Sequence, residues 1–416
     1  MERELSWIEL AECLGPHSIH FRPLLEAFGT PEAILTASEE KLREAAPDLG
    51  ASSRSAILKR SKAARASKIL SYCRRTKGIH VYPFDHERYP SVFRDLLDPP
   101  VLIYCEGTLP DLDTVATIGV VGSREPDAYG EQVAYTMAFE LAAAGAVIVS
   151  GLADGIDGIA TAATLAAGGT TISVLGCGID RTYPSFHKRL RAESLLRGAV
   201  ITEYAPGTPP YGYNFPVRNR LIAALSRVVL IPEAREESGA LITARYAVLY
   251  GREVFVVPGD VTRKNAAGSN QLLQAGARVA LDAEDVLYAV APSCHETLSF
   301  KNMEEATQHA ALDEALLRRL GVREESVRKG RGKSKKREQA LAKEEAPVQK
   351  EKGNAPDLSM LDARRRAIYD ALPDGKFTPD ALVTDTLPIS DVLGALTLFE
   401  VYGLVRVQRG GFYEKV

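Results

Sequence analysis

Gly122-Ser123-Arg124 closes an apolar run and precedes a helical segment starting near Gly130. Backbone N–H groups, the helix dipole and the Arg124 guanidinium would converge there on one anion; the plain alternative is a tight turn with a solvent-facing arginine. Further on, Tyr183-Pro184-Ser185-Phe186-His187-Lys188-Arg189 sets an aromatic pair beside a basic pair at the start of a helix. Tyr211, Tyr213, Asn214, Phe215, Arg218, Asn219 and Arg220 repeat the mixture after the next apolar run. Rings and guanidinium planes stack on bases while cations meet phosphates, so this mixture suits unpaired nucleic acid. Either cluster alone would read as packing and surface charge, but two at neighbouring positions favour binding. Ser238-Gly239-Ala240 with Thr243 opens another helix and suits either a phosphate or simple capping, and Gly268-Ser269-Asn270 repeats that situation. Asp154 and Asp157 form a carboxylate pair that reads best as helix caps.

The missing chemistry narrows the field. The sequence offers no nucleophile and base set, no G-x-x-x-x-G-K-[ST] loop and no His/Cys/Asp cluster at metal-ligand spacing, so no catalytic residue, cofactor or metal is expected. His17 and His20 are three apart with no further ligand near them in sequence. Gly119, Gly122 and Gly130 miss the dinucleotide spacing G-x-G-x-x-G, and Gly176-Cys177-Gly178 is a bare G-x-G.

These blocks need a frame that holds them at one edge. Residues 117–121, 147–149, 171–175, 199–201, 228–231 and 254–257 are short, β-branched apolar runs alternating with helix-length segments. The pattern predicts the α/β class: a Rossmann-like, doubly wound, mostly parallel sheet with ligands collecting at the strands' carboxyl ends. Residues 1–77 have helical spacing broken at Gly15-Pro16 and Gly29-Thr30-Pro31, predicting a compact helical domain. The Pro- and aromatic-rich residues 78–107 should run extended along the α/β body, the two together spanning 78–292. From 293 to 358 periodicity gives way to Lys, Glu, Arg and Ala, predicting a flexible charged tether. Residues 359–416 regain helical spacing and end in a hairpin about Gly410-Gly411, predicting a winged helix. Its would-be recognition helix, 389–402, carries Asp391 and Glu400 and no Lys or Arg. A protein-contact role is therefore favoured over groove reading, with Arg406, Arg409 and Lys415 left to touch phosphate.

With 416 residues and 45% apolar content the chain can bury two or three cores. No apolar stretch approaches the ~20 residues that cross a bilayer, and Met1-Glu-Arg-Glu lacks a signal pattern, so a cytoplasmic protein without a membrane partner is expected. Cys13, Cys73, Cys105, Cys177 and Cys294 are odd in number and far apart, which fits reduced thiols. The formal charge of −3 argues against an overall electrostatic nucleic-acid binder, but it averages over uneven segments. Residues 51–77 hold no Asp or Glu among Arg54, Lys59, Arg60, Lys62, Arg65 and further cations, and a second basic run spans 328–337. Solvated charge and a nucleic-acid path both fit the first run.

Taken in order, the blocks resemble the DNA-processing protein A family, also called DprA or Smf. They are Val120-Val-Gly-Ser-Arg124 with Tyr129-Gly130, Ser150-Gly-Leu-Ala-Asp-Gly-Ile-Asp157, Val174-Leu-Gly-Cys-Gly-Ile-Asp180 with Tyr183-Pro184, and Ile201-Thr-Glu-Tyr204. Asn214-Phe-Pro-Val-Arg-Asn-Arg-Leu-Ile222, Ser238-Gly-Ala-Leu-Ile-Thr-Ala244, Val257-Pro-Gly259 and Gly268-Ser-Asn270 follow. The resemblance implies a bacterial, non-enzymatic protein that binds and protects single-stranded DNA, loads the RecA recombinase during natural transformation, and works as a homodimer through the Rossmann-like domain. It also implies an N-terminal helical domain of the SAM/helix-hairpin-helix kind. The family's strand-holding Arg and Lys map onto Arg124 and Lys188; Arg218, Asn219 and Arg220 follow as further contacts, with Phe186 and Phe215 as stacking groups. Gly122, Ser123, Arg189, Ser238 and Gly239 complete the expected DNA-binding set.

Two positions depart from the family pattern: Asp154 stands where an Arg is usual, and Thr161 where a His is usual. If that Arg neutralises phosphate, this chain should bind DNA more weakly or through other contacts. Two rival readings are a protein scaffold with vestigial anion sites and a nucleotide phosphoribohydrolase of the lysine-decarboxylase-like group. The latter's P-G-G-x-G-T-x-x-E signature ends in a carboxylate for an oxocarbenium-like centre, and Ser238 to Arg245 supplies none.

Overall fold

A computed structural model describes residues 2–323 and, with interruptions, 361–416. Contacts divide the chain into two units: Met1–Leu70 with Leu96–Val101 and Gln349–Val416, and Ser71–Asp95 with Leu102–Val348.

The first unit opens with α1 (Glu2–Leu14), α2 (Phe21–Phe28), α3 (Pro31–Leu35), α4 (Glu39–Ala45), α5 (Ala51–Leu58) and the start of α6 (Ala63–Arg75). Thr30 caps α3 through the Ala33 N–H, with Pro31 at the first helical position where its missing N–H costs nothing. Ser38 caps α4 in the same way. Trp7, Ile8, Phe21, Leu24 and Ile57 form the core, Trp7 meeting Phe21 edge-on at 6.0 Å between centroids. Part of the basic run is paired at the surface: Arg60 makes two 2.6 Å bonds to buried Glu9, and Arg65 pairs with Glu12.

In the second unit, all six predicted runs are strands. In chain order the elements are β1 (Ile79–Pro83), β2 (Leu102–Gly107), β3 (Thr117–Val120), α7 (Ala128–Ala143), β4 (Val147–Ser150), α8 (Ile156–Ala166), β5 (Thr171–Val174) and α9 (Lys188–Ser194). Then come β6 (Ala199–Thr202), α10 (Asn214–Leu225), β7 (Val228–Ile231), α11 (Gly239–Leu249), β8 (Glu253–Val256), α12 (Ala267–Gln274), β9 (Arg278–Val279), α13 (Ala283–Cys294), α14 (Phe300–Thr307) and α15 (Glu314–Leu320). The sheet order is β1-β2-β6-β5-β4-β3-β7-β8-β9, and every pairing from β6 across to β9 is parallel. Every residue of β3 to β7 is buried, which is why these strands read as unbroken apolar runs and not as alternation. Successive strands run outward from β3 through β4, β5 and β6, then the chain crosses back to lay β7 against β3's other side, with Ile118 opposite both Ile148 and Val228. That reversal leaves a crevice above the carboxyl ends of β3 and its neighbours.

Two expectations need correcting. The lead-in does not merely run along the body: β1 and β2 extend the sheet, β2 pairing antiparallel with β6 and Tyr104 facing Thr202. The tether does not begin at 293, because α14 packs on α7 and α15 on α8 and α9. Charged composition concealed two short helices whose few apolar residues, Met303, Leu316, Leu317 and Leu320, are buried.

The C-terminal part contains α16 (Ala363–Asp370), β10 (Lys376–Phe377), β11 (Val405–Gln408) and β12 (Phe412–Lys415), the strands forming an antiparallel sheet in the order β10-β12-β11. Tyr369, Val392, Leu396, Phe399 and Leu404 share its core. The basic run 328–337, the remainder of the tether, Asp391, Arg409 and the Gly410-Gly411 turn lie outside the described residues. Among the described residues no helix is long and apolar enough to cross a membrane. The five cysteines are buried free thiols.

Candidate nucleic-acid interface

The loops leaving β3 to β7 enclose an open cleft of about 1170 Å³. Gly122 to Pro126, Ala153 to Gly155, Tyr183-Pro184, Gly212 with Phe215, Pro216, Arg218 and Asn219, and Arg235 with Glu237 to Ala240 line it, and Val322 and Arg323 close one wall. Gly122 permits this close assembly, since a β-carbon there would sit 2.7 Å from both the Glu233 carbonyl and Ile156. Leu152 holds a left-handed conformation, φ 55°, that costs a side-chain-bearing residue roughly 1–2 kcal/mol. Its carbonyl lies 3.0 Å from Nδ1 of the buried His187.

Arg124 is exposed, its guanidinium carbon 5.3 Å from the centre of the Phe215 ring. Phe215 itself is only 8% exposed, packed against Tyr183 at 5.0 Å and approached by Arg218 at 5.9 Å. It is a seat for the guanidinium, not the exposed stacking group the sequence suggested.

Arg218 is buried and donates to the Gly151 carbonyl at 2.8 Å and to the Val174 carbonyl, tying the ends of β4 and β5 together. Burial lowers its pKa to about 10, opposed by Asp157. Asp157 accepts the Gly151 N–H at 2.9 Å, and burial pushes its carboxyl upward against the pull of Arg218. Arg220 lies outside the cleft lining, 1% exposed and paired with Glu203 at 2.6 Å, which removes it from any strand path. Asn219 lines the cleft and donates to the Gly239 carbonyl at 3.1 Å. Thr243 and Arg218 line the cleft, and among the described residues Thr243 Oγ1 and Arg218 Nε, both buried, meet no hydrogen-bond partner.

The helix termini divide differently from expectation. Asp127 caps α7, accepting the N–H groups of Tyr129 at 2.9 Å and Gly130 at 3.2 Å. Arg263 binds Asp127 and reaches Glu233 at 2.8 Å. The Arg263 hydrogen bond holds Asp127 near a pKa of about 2, whereas burial drives Glu233 to about 7, opposed by the Asp127 N–H and Arg263 and reinforced by the Asp127 carboxylate. The anion expected at this helix end is thus the protein's own carboxylate. At α8 the cap is Gly155, φ 75°, so the Asp154-Asp157 pair is not a pair of caps; Asp154 lines the cleft and accepts the adjacent Gly155 N–H. Thr161 is buried within α8 and donates to the Asp157 carbonyl at 2.8 Å. Ser238 caps α11 through the Ala240 N–H at 3.3 Å, beside exposed Gly239. Ser269 accepts the Ala234 N–H at 2.8 Å and Asn270 bonds both ways with Gly259, so the Gly268 block pins loops.

Phe186, Lys188 and Arg189 are exposed on the turn and first residues of α9, outside the cleft lining, and Arg189 reaches the Arg319 carbonyl of α15 at 3.4 Å. Arg191 anchors this helix from within by bonding Glu106 and the Ile179 carbonyl. The wall formed by Val322 and Arg323 was invisible in the sequence, for it belongs to the segment whose composition suggested a tether. Arg323 pairs there with Glu131 and Glu314. Among the described residues no group of three or more His, Cys, Asp or Glu is placed to hold a metal.

Residues 80–291 match the family profile described as DNA recombination-mediator protein A. DNA processing protein DprA of Bacillus subtilis (strain 168) is 40% identical over 212 residues, 51% of this chain and 71% of that protein. Its counterpart in Streptococcus pneumoniae (strain ATCC BAA-255 / R6) is 41% identical over 203 residues, 48% of this chain and 70% of that protein. The X-ray structure of DNA processing protein A from Streptococcus pneumoniae superposes with a TM-score of 0.58 and 31% identity, covering 67% of this chain and 95% of that one. The matched region contains β2 to β9, nearly all of β1 and every loop of the cleft except the wall at Val322 and Arg323, so the chain belongs to the DNA recombination-mediator protein A family, a family of mediators and not of enzymes.

Proposed function

We propose that this chain binds single-stranded DNA along the cleft at the strands' carboxyl ends and loads the RecA recombinase onto it during natural transformation. The observation that carries the reading is Arg124, a guanidinium held exposed on the Phe215 ring at an open cleft of family-matched loops. A cation seated on an aromatic ring is oriented at little entropic cost and meets a phosphate without needing a particular base. Thr243 Oγ1 and Arg218 Nε support a polar ligand, because buried polar atoms without partners are costly unless something binds them. Ser123, Gly122, Asn219, Ser238 and Gly239 complete the cleft contacts, while Phe186, Lys188 and Arg189 carry the strand across α9. RecA as partner, a cytoplasmic setting and a homodimer through the α/β domain rest on family membership. The N-terminal helices act as a SAM-like domain, and the C-terminal helix and antiparallel sheet as a winged helix for protein contact.

Fluorescence anisotropy with single- and double-stranded oligonucleotides across a salt series tests the reading. If about four phosphates are neutralised, log affinity for the single strand should fall against log salt with slope near −3. The Arg124→Ala, Lys188→Ala double variant should bind more weakly, its slope shallower by about 1.4. Wild type binding neither form, or a double variant as tight as wild type, overturns the assignment.

A further inference from the structure

We propose that Tyr211 and Tyr213 form a stacking platform for an unpaired base at the rim of the cleft, an inference that rests on the single-stranded-DNA reading. The two rings are parallel within 12° with centroids 5.3 Å apart, and both are exposed, Tyr213 at 65% and Tyr211 at 39%. Tyrosine rings are largely apolar with a polar edge, so an exposed pair stacked in parallel offers a flat face to a planar partner.

The loop that carries them is fixed. Asn214 is buried and its side-chain amide donates to the Gly176 carbonyl at 3.0 Å, clamping the loop to the end of β5. The Tyr211 N–H bonds the Pro209 carbonyl and the Asn214 N–H bonds the Tyr211 carbonyl, each at 2.9 Å, so the backbone under the rings is a closed turn. A ring on a preformed turn loses little freedom when a base lands on it.

Position supplies the second half of the argument. Gly212, between the tyrosines, lines the cleft, and Phe215, two residues beyond Tyr213, is the seat of Arg124. A strand held at Arg124 thus runs past the loop that carries the platform. Phe215 cannot take this role itself, being 8% exposed and covered by Tyr183 and the two guanidinium groups. The platform should accept any base, since every base presents a π-face, and should discriminate base-bearing from abasic strand.

The test is anisotropy with a labelled oligothymidylate and an abasic oligomer of equal length at one salt concentration. The variants are Tyr211→Ala/Tyr213→Ala, Tyr211→Phe/Tyr213→Phe and Arg124→Ala. Wild type should prefer the base-bearing strand. The alanine pair should lose about fivefold or more on oligothymidylate while leaving abasic binding unchanged. The phenylalanine pair should match wild type, because stacking needs the ring and not the hydroxyl. Arg124→Ala should weaken both strands alike. Wild-type binding of both strands that ignores the bases, or an alanine pair that loses both strands equally or neither, overturns the platform and leaves the function standing. Wild type that binds neither strand overturns the function and the platform with it.

Discussion

Arg124 and Arg220 both stand in family blocks at the carboxyl edge of the sheet, and both fit a phosphate contact by residue type. The fold puts them in opposite environments: Arg124 is exposed on an aromatic seat at the cleft, whereas Arg220, on α10, is buried against Glu203. Arg218 stands between them, a buried cation that ties two strand ends and still presents one unpartnered nitrogen. A guanidinium in a binding motif is thus a ligand contact only if the element carrying it turns outward. When it turns inward, the same residue supports the frame on which the contact stands, and the two roles respond to different measurements.

The largest expected effect separates those roles. Removing one member of a buried ion pair strands the other charge, so Arg220→Ala or Glu203→Ala should each cost about 3–5 kcal/mol of stability in urea unfolding. Arg124→Ala should leave the unfolding midpoint unchanged while weakening DNA binding. If Arg220→Ala unfolds like wild type yet loses DNA, the assignment of Arg220 to the frame is wrong.

The carboxylates beneath the cleft offer a finer version of the contrast. Burial holds the Glu233 pKa near 7, above its usual carboxylate range. The unfolded chain ionises this group first, so as pH rises from about 4.5 to about 7 the folded state binds more protons and its stability falls. The contribution is on the order of 1–3 kcal/mol, and Glu233→Gln should flatten that part of a melting-temperature profile against pH. Asp127, held low by Arg263, acts oppositely, its stabilisation being lost as pH falls from about 4 towards 2. An unchanged profile in the Glu233 variant would mean that the Arg263 pair, and not desolvation, governs this carboxylate.

The smallest effect concerns α11. Ser238→Ala should cost about 1 kcal/mol of stability through the lost cap on Ala240. If stability holds while the salt slope becomes shallower, the helix end serves phosphate and not capping.

Apolar runs with small residues at their ends sufficed to place β3 to β8 and the cleft's edge, because a strand covered on both faces needs continuous apolar sequence wherever it sits in the sheet. The same local logic singled out Gly122 to Arg124 and the helix start at Ser238, since turns and caps are decided within a few residues. Tertiary structure alone decided which cations face outward. Arg218, Asn219 and Arg220 are consecutive on one helix, and about 100° of rotation per residue points each at a different neighbour. Phe215 looked free and became a seat, and Asp127 filled a helix end that looked open to a ligand. The wall at Val322 and Arg323 came from a segment of charged composition, where a few apolar contacts and ion pairs to Glu131 and Glu314 were enough for docking. Such contacts join residues far apart in sequence, so no local pattern announces them.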